Sequence, residues 1–500
     1  MRFGRLTGFW LIAATLLALG APAFAGDDRE FERFFIVKIN DQRVGFAREA
    51  AAVLDDTLVT SSEMVFRIAR FDDELTISVD TEFVETLDGE PVSMRSTTDL
   101  GGAKTVEAYV WDGETVKRTT INGGRRTVRE EKAPGGTWLT PGEVGAYVNA
   151  RIEAGADAIV YSTIDASTGL DRVLNKLTRV GEEPIDVLGE TIDAVRWTVT
   201  QSIMPDLAMV NHTDASGQTL RSELPFGGIT MVMERAERAE ALKEVPAVEM
   251  MGSTLVEPVG EIPSPRTTRR ATYRLSSTIA GQRLPDLPTT GAQRVERLEN
   301  GSLRVTIDLD SPVIADGADL NAEAYLAPTP AADSDDERVR ELAKEALEGV
   351  EPDASDRTKA EAMRRFVYRY INEKTLGVGF ATASEVVRNR AGDCTEHAVL
   401  LAAMLRAEGI PSRGANGLIF IDQFGTGDKV FGYHMWTQAL LQDADGRPVW
   451  EDFDASWPKA MDATHITTSV TDLGEDSMLD AYTTIARLLG VLAIEVESVE

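Results

Sequence analysis

The chain of 500 residues holds one cysteine, Cys394, and four histidines. A single thiol excludes an internal disulfide framework and offers no Cys-x-x-Cys pair for a zinc cage. Basic charge is also short: 51 Lys and Arg stand against 82 Asp and Glu, a net charge of −31. Such a surface repels phosphate backbones and anionic headgroups, which argues against nucleic acid as a partner. Past residue 25 no apolar run is long enough to span a bilayer. The acidic stretch Asp333-Ser334-Asp335-Asp336-Glu337 lacks the ligand spacing and glycine of a calcium loop. It reads instead as an N-cap with acids in the first turn of a helix.

What is present begins with a processing segment. Arg2 and Arg5 precede an apolar run over 9–19, and Ala23-Phe24-Ala25 forms a small-x-small cleavage site. The expected cut follows Ala25, which makes the protein exported, periplasmic or secreted; an uncleaved anchor is the alternative. In an oxidising compartment a lone thiol is a liability unless it is used, which adds weight to a chemical role for Cys394. The remainder is too long for one core and implies two or three domains.

Residues 26–245 read as a large antiparallel β domain. Alternating stretches such as Glu74-Leu75-Thr76-Ile77-Ser78-Val79 are separated by turn pairs at Asn40-Asp41, Asp88-Gly89 and Asp112-Gly113. A short helix is expected over 142–153 and another over 235–242. His212 stands alone on a strand, where a packing or surface histidine is the ordinary reading. Residues 246–270, rich in proline and without periodicity, are expected to form a linker. Residues 271–330 form a small β unit.

Residues 331–500 change to helices followed by strands, an α+β pattern. Helices are expected over 336–347, 357–373 and 383–388, with Ala362, Phe366, Val367 and Tyr370 as the apolar face of the second. A fourth helix, strongly apolar, begins at Cys394 and stops at Gly409, with Pro411 beyond. Strands follow over 414–420, 430–441 and 448–453, the last two joined by Asp443-Ala444-Asp445-Gly446. A final helix over 477–489 and a strand over 491–496 close the chain.

A thiol at a helix N-terminus sits where orphan N–H groups and the dipole favour an anion, so its pKa tends to fall. Amide acyl transfer needs that thiolate, a proton shuttle and an oxyanion donor. An imidazole suits the shuttle because its unperturbed pKa of about 6.5 lies near working pH. The stretch Asp393-Cys394-Thr395-Glu396-His397-Ala398, then Tyr433-His434-Met435-Trp436, then Phe453-Asp454-Ala455-Ser456 resembles the transglutaminase-like superfamily of papain-type Cys-His-Asp enzymes. The resemblance covers about residues 335–465. It implies Cys394 as nucleophile, His434 as base and Asp454 as the residue that orients the imidazole. Asp454-Ala455-Ser456 stands where many relatives have Asp-Pro-Thr, and Gln438 where many have Glu; neither removes a catalytic side chain. The backbone N–H of Cys394 is the expected oxyanion donor, and Trp436 a wall of the site.

Glu396 and His397 are assigned supporting positions, because a base on the cysteine's own helix has little freedom to reach the sulfur. Zinc bound by Cys394, His397, His434 and Asp454 is a weak alternative, so no metal and no cofactor are expected. His465 reads as structural. The sequence thus points to an exported multidomain enzyme, a large antiparallel β region followed by a transglutaminase-like domain. It would act on amide bonds of a protein or peptide substrate through a Cys394 thioester, resolved by water or an amine. The other class of reading is an inert scaffold, or a protein that binds a peptide or lipid. Oligomeric state is not encoded in any motif.

Overall fold

Two-residue turns and alternating apolar positions lay out the first half of the chain as one antiparallel sheet. The structure is a computed structural model that describes residues 30–500 except 71, 72, 123, 227, 250–253, 376–379, 425 and 426. The signal segment assigned from the sequence lies outside the described residues. Two compact units are present, one holding residues 30–68 and 75–248, the other residues 249–500.

In the first unit, strand Phe31–Ile39 turns back into Gln42–Leu54 through Asn40 and Asp41, whose φ angles are +46° and +65°. Asp55 and Asp56 repeat the arrangement at +47° and +64°. Both central residues of a type I′ turn need positive φ, and Asn and Asp tolerate it best after glycine. Eight strands, ending at Arg125–Lys132, run as a meander. Helix Pro141–Glu153 interrupts it, and six more strands run from Ala158–Thr163 to Ile229–Ala236. The two meanders meet edge to edge: Phe31–Ile39 pairs antiparallel with Ile229–Ala236, Phe34 opposite Ala236 and Ile39 opposite Met231. This pairing corrects the helix expected over 235–242. Arg235 and Ala236 are held in the ladder opposite Phe35 and Phe34, so the helix is confined to Arg238–Ala241. His212 donates from Nε2 to the Glu183 carboxylate at 2.7 Å, a paired histidine within the sheet.

The second unit is built on two four-stranded sheets and a set of helices. The longer helices are α1 (Glu337–Ala346), α2 (Asp356–Tyr370), α3 (Ala383–Asn389), α4 (Cys394–Ala407) and α5 (Glu475–Leu488). Asp336 caps α1, its carboxylate accepting from the N–H of Arg338 at 2.9 Å and of Val339 at 3.4 Å. One sheet has the order β3-β2-β1-β4, with β1 (Ser412–Phe424), β2 (Gly427–Gln442), β3 (Pro448–Phe453) and β4 (Ile466–Thr471). Strand β2 is central, and from Val430 to Ala439 every residue is buried, which is why it reads as a near-continuous apolar run. The hairpin into β3 closes where Asp443 accepts from the N–H of Asp445 and Arg447, both at 2.9 Å, with Gly446 at φ +76°.

The other sheet joins Arg270–Ser277, Gln293–Arg297 and Leu303–Asp308 to Leu492–Val499. The small β unit of the sequence reading therefore takes its fourth strand from residues more than 200 positions away, Leu275 pairing with Ile494. The stretch expected as a linker is also engaged: Val256 bridges to Phe431, Val259 to Glu495, and Arg266 pairs with Asp462 at 2.9 Å. Helix α2 differs from expectation in its rotation. Its buried stripe is Ala360, Met363, Arg364 and Val367, so a charged residue lies on the inner face and Ala362, Phe366 and Tyr370 flank it. Among the described residues no helix is long and apolar enough to cross a membrane.

Candidate active site

The cysteine helix α4 is the most buried element of the second unit: from Cys394 to Arg406 no residue is exposed. Apolar burial of this order, about 25 cal/mol per Å² of surface removed from water, fixes the helix firmly. Its start is fixed by a reciprocal cap. Asp393 accepts from the N–H of Thr395 at 2.7 Å, and Glu396 reaches back to the N–H of Asp393 at 2.8 Å. Glu396 also accepts from the N–H of Ala381 at 3.0 Å. Burial, with the Asp393 carboxylate adding to it, pushes the Glu396 carboxyl well above the ordinary range. Gly392 permits this fold-back. Its φ is +146°, and a Cβ there would lie 2.4 Å from Cβ and Cγ of Glu396.

Cys394 is 3% exposed and opens the helix as its first residue. It belongs to the same core cluster as Met435, Phe453 and Ala455, the chain neighbours of His434 and Asp454. Strand β2 is tied to the helix by Thr437, whose hydroxyl donates to the carbonyl of Ala398 at 2.9 Å.

His434 and Asp454, predicted partners from the sequence, are brought together directly: His434 Nε2 lies 2.7 Å from Asp454 Oδ2. Burial alone would raise the Asp454 carboxyl, but His434 and then His465 outweigh it and hold it well below the usual range. The other carboxylate oxygen accepts from the N–H of Ser456 at 2.8 Å and its hydroxyl at 2.6 Å. The carbonyl of Asp454 accepts from Arg364 Nη1 at 3.2 Å, and the same nitrogen reaches the carbonyls of Trp457 at 2.8 Å and Lys459 at 3.3 Å.

Trp436 is 1% exposed. It stacks against His434 with ring centroids 6.1 Å apart and donates from Nε1 to Asp452 at 2.7 Å. It therefore forms a floor beneath the imidazole rather than an open wall. Gly417, paired with His434 across the sheet, keeps that floor in place. A Cβ at Gly417 would lie 2.0 Å from the carbonyl of Ile466 and 2.7 Å from the Trp436 ring.

His397 is engaged at both nitrogens. Nδ1 donates to the carbonyl of Asp393, and Nε2 faces Lys374 Nζ. A carbonyl can only accept, so Nδ1 carries the proton and Nε2 accepts from the ammonium. Burial, reinforced by Lys374, lowers the His397 pKa to about 3. Burial also brings Lys374 down to about 8. A neutral imidazole with both nitrogens occupied is a spacer, not a base.

Two residues outside the predicted set belong to the site. Arg364 had a signal in the sequence, since its spacing of four from Ala360 and three from Val367 places it on the inner helix face. His465 had none beyond its closeness in sequence to Asp454. Its Nε2 lies 3.3 Å from Asp454 Oδ2, and its ring meets Trp436 edge-on at 5.3 Å. His434, Asp454 and His465 place their ligand-type atoms within 4.8 Å of one another, a spacing a divalent metal could share. Both Nε2 atoms instead turn to one carboxylate oxygen, which is the geometry of a hydrogen-bonded chain.

Comparison with curated proteins gives no match. Among solved structures, a β-barrel-like protein of a domain of unknown function from Brucella abortus is similar at 12% identity. That likeness covers 42% of this chain and 96% of that one, with a TM-score of 0.32. A candidate cysteine protease from Cytophaga hutchinsonii is similar at 16% identity, covering 46% and 81% with a TM-score of 0.26. A candidate protease from Parabacteroides distasonis is similar at 13% identity, covering 74% and 70% with a TM-score of 0.17. Residues 340–455, from helix α1 to the turn after Asp454, match the family model of the transglutaminase-like superfamily, and this part of the chain is a transglutaminase-like domain.

Proposed function

We propose that the protein is an exported cysteine enzyme that cleaves or transfers acyl groups from amides of proteins or peptides. The observation that carries this reading is the 2.7 Å bond between His434 and Asp454, in the unit whose most buried helix starts at the only cysteine. The family match over residues 340–455 supports the cysteine-enzyme class.

Because Asp454 engages Nε2, proton traffic runs through Nδ1 of His434. His434 takes the Cys394 thiol proton as the sulfur forms a bond to the amide carbon, and the carbonyl electron pair moves to oxygen. The backbone N–H of Cys394, at the start of α4, would stabilise that oxyanion. Collapse restores the carbonyl, breaks the carbon–nitrogen bond and sends the imidazolium proton to the leaving amine. Water or an amine then attacks the thioester and gives its proton to His434, and the thiol is released. Hydrolysis and cross-linking differ only in this second nucleophile.

The test needs no substrate. Cys394 should react with iodoacetamide at neutral pH at least tenfold faster than free cysteine, and His434→Ala should abolish the excess. Equal slow labelling in both proteins would favour the inert scaffold. Release of ammonia or incorporation of a fluorescent amine with glutamine peptides then separates the two outcomes of the thioester. Cleavage is tested by the mature N-terminus, expected at Gly26, and export by cell fractionation; recovery of the protein in the cytoplasmic fraction would refute export.

A further inference from the structure

His465 lies outside the segment that matches the family, and the reaction outlined above does not use it. It is 5% exposed, and its two nitrogens have different partners. Nε2 is 3.3 Å from Asp454 Oδ2, and Nδ1 is 3.1 Å from the carbonyl of Asp462 and 3.4 Å from its carboxylate. A carbonyl and an ionised carboxylate offer lone pairs only. An imidazole satisfies acceptors on both sides only if both nitrogens carry hydrogen. A neutral ring in this position would press one nitrogen lone pair against an oxygen lone pair, inside a buried site where such a mismatch is costly.

We propose that His465 is a standing imidazolium, a positioning residue that shares Asp454 Oδ2 with His434 and sets the pH range in which Cys394 is reactive. The charge has a built socket. Asp462 is fixed by Arg266 at 2.9 Å and by the N–H of Thr464 at 2.9 Å. Trp436 closes the ring edge. The other charged groups that face it are Asp452, whose carboxylate takes Trp436 Nε1, and His434, with ring centroids 6.0 Å apart. Lys374 and His397 feel the same Asp454 charge from the side of α4. Burial alone would lower the His465 pKa; Asp462 and Asp454 overcome it and raise it to about 9.

The effect on chemistry has a definite sign. One carboxylate between two imidazoles is partly neutralised by His465, so His434 gains less proton affinity from Asp454 than it would from an unshared acid. The nearby cation also favours the thiolate. Removing it should raise both the thiol pKa and the His434 pKa. At a separation near 6 Å in a partly polar interior, the shift is about half a pH unit or more.

The inference rests on the proposed role of Cys394 and His434, and its test separates the two. The rate of Cys394 alkylation by iodoacetamide is measured from pH 4 to 9 in the wild-type protein and in His465→Gln, which keeps an N–H donor toward Asp454 but no charge. The acid limb should move to higher pH, so that the rate at pH 5 falls about threefold or more while the plateau is largely retained. A uniform loss at every pH, or an unshifted profile, overturns the charge role. Nitrogen-15 spectra of the wild-type histidines read the protonation state directly. Two protonated nitrogens on His465 at pH 7 are expected, and a neutral tautomer overturns the inference, including in the event that His465→Gln does not fold. If wild-type Cys394 shows no enhanced reactivity, the proposed function fails, and the spectra still decide the state of His465.

Discussion

Arg364 offers the sharpest test of how the site is held. Its side chain is 3% exposed on the inner face of α2. Nη1 carries two hydrogens and serves three carbonyls, of Asp454, Trp457 and Lys459, so one contact is shared. Nε and Nη2 form a two-pronged pair with Glu361 at 2.7 and 2.9 Å. Arg364→Met keeps the apolar stem and removes every donor. The carbonyl of Asp454 is buried and would be orphaned, a cost of about 1–3 kcal/mol. The carbonyls of Trp457 and Lys459 are partly exposed and can turn to water. Glu361 is 34% exposed, so losing its partner adds at most about 1 kcal/mol. The expected total is roughly 3 kcal/mol, or about 6–12 °C in Tm for a unit of this size. Arg364→Lys keeps the charge but not the fork, and should fall between the two. Urea titration gives the stability, and iodoacetamide gives the site: Cys394 labelling should slow about tenfold as Asp454 loses its fixed backbone. A midpoint within about 0.5 kcal/mol of wild type, with normal labelling, would refute the view that this guanidinium holds the Asp454 turn.

Three further outcomes are expected. Gly417→Ala places a Cβ 2.0 Å from the carbonyl of Ile466 and 2.7 Å from Trp436; the protein should lose stability by more than about 2 kcal/mol, read by thermal melting, and a wild-type melt would contradict the packing. Two buried histidines, His397 and His465, contribute to the pH dependence of stability in opposite senses. His397, depressed to about 3 when folded, contributes stability present above about 6.5 and lost as pH falls toward 3; His465, raised to about 9, contributes stability present below about 6.5 and lost as pH rises through 9. Urea midpoints from pH 4 to 10 check both limbs, and His465→Gln should flatten the alkaline limb alone. Asp454→Asn should leave the fold intact and cut Cys394 labelling at pH 7 by at least tenfold, since an amide cannot fix the same imidazole tautomer or stabilise its cation; unchanged labelling would remove Asp454 from the mechanism.

The features legible in the sequence were those written in local pattern. Helix α4 is visible because its apolar positions, its start at Cys394 and its stop at Gly409 all lie within one short stretch. The β2–β3 hairpin was visible because Asp443 to Gly446 carry their own turn chemistry. The likeness around Cys394, His434 and Asp454 gave an order of blocks, and that order identified the domain. Features set by distant contacts were not legible. The end of the first unit read as helix until the ladder with Phe34 and Phe35 was known. The rotation of α2 is only half legible: the spacing of Arg364 from Ala360 and Val367 fits the inner face, its charge argues for the surface, and three converging carbonyls decide it. The surroundings of His465 are not legible because Asp454 and Asp462 meet the two sides of its ring only once the chain between them is folded.

The strand Leu492–Val499 lies beside Arg270–Ser277, across a separation in sequence that spans nearly the whole second unit. Pairing so remote closes a very large loop, so this edge forms late and slowly. That sheet therefore cannot close until the last strand of the chain has been made. A chain stopped short of residue 492 would leave Arg270–Ser277 as a bare edge, inviting a second chain to complete it.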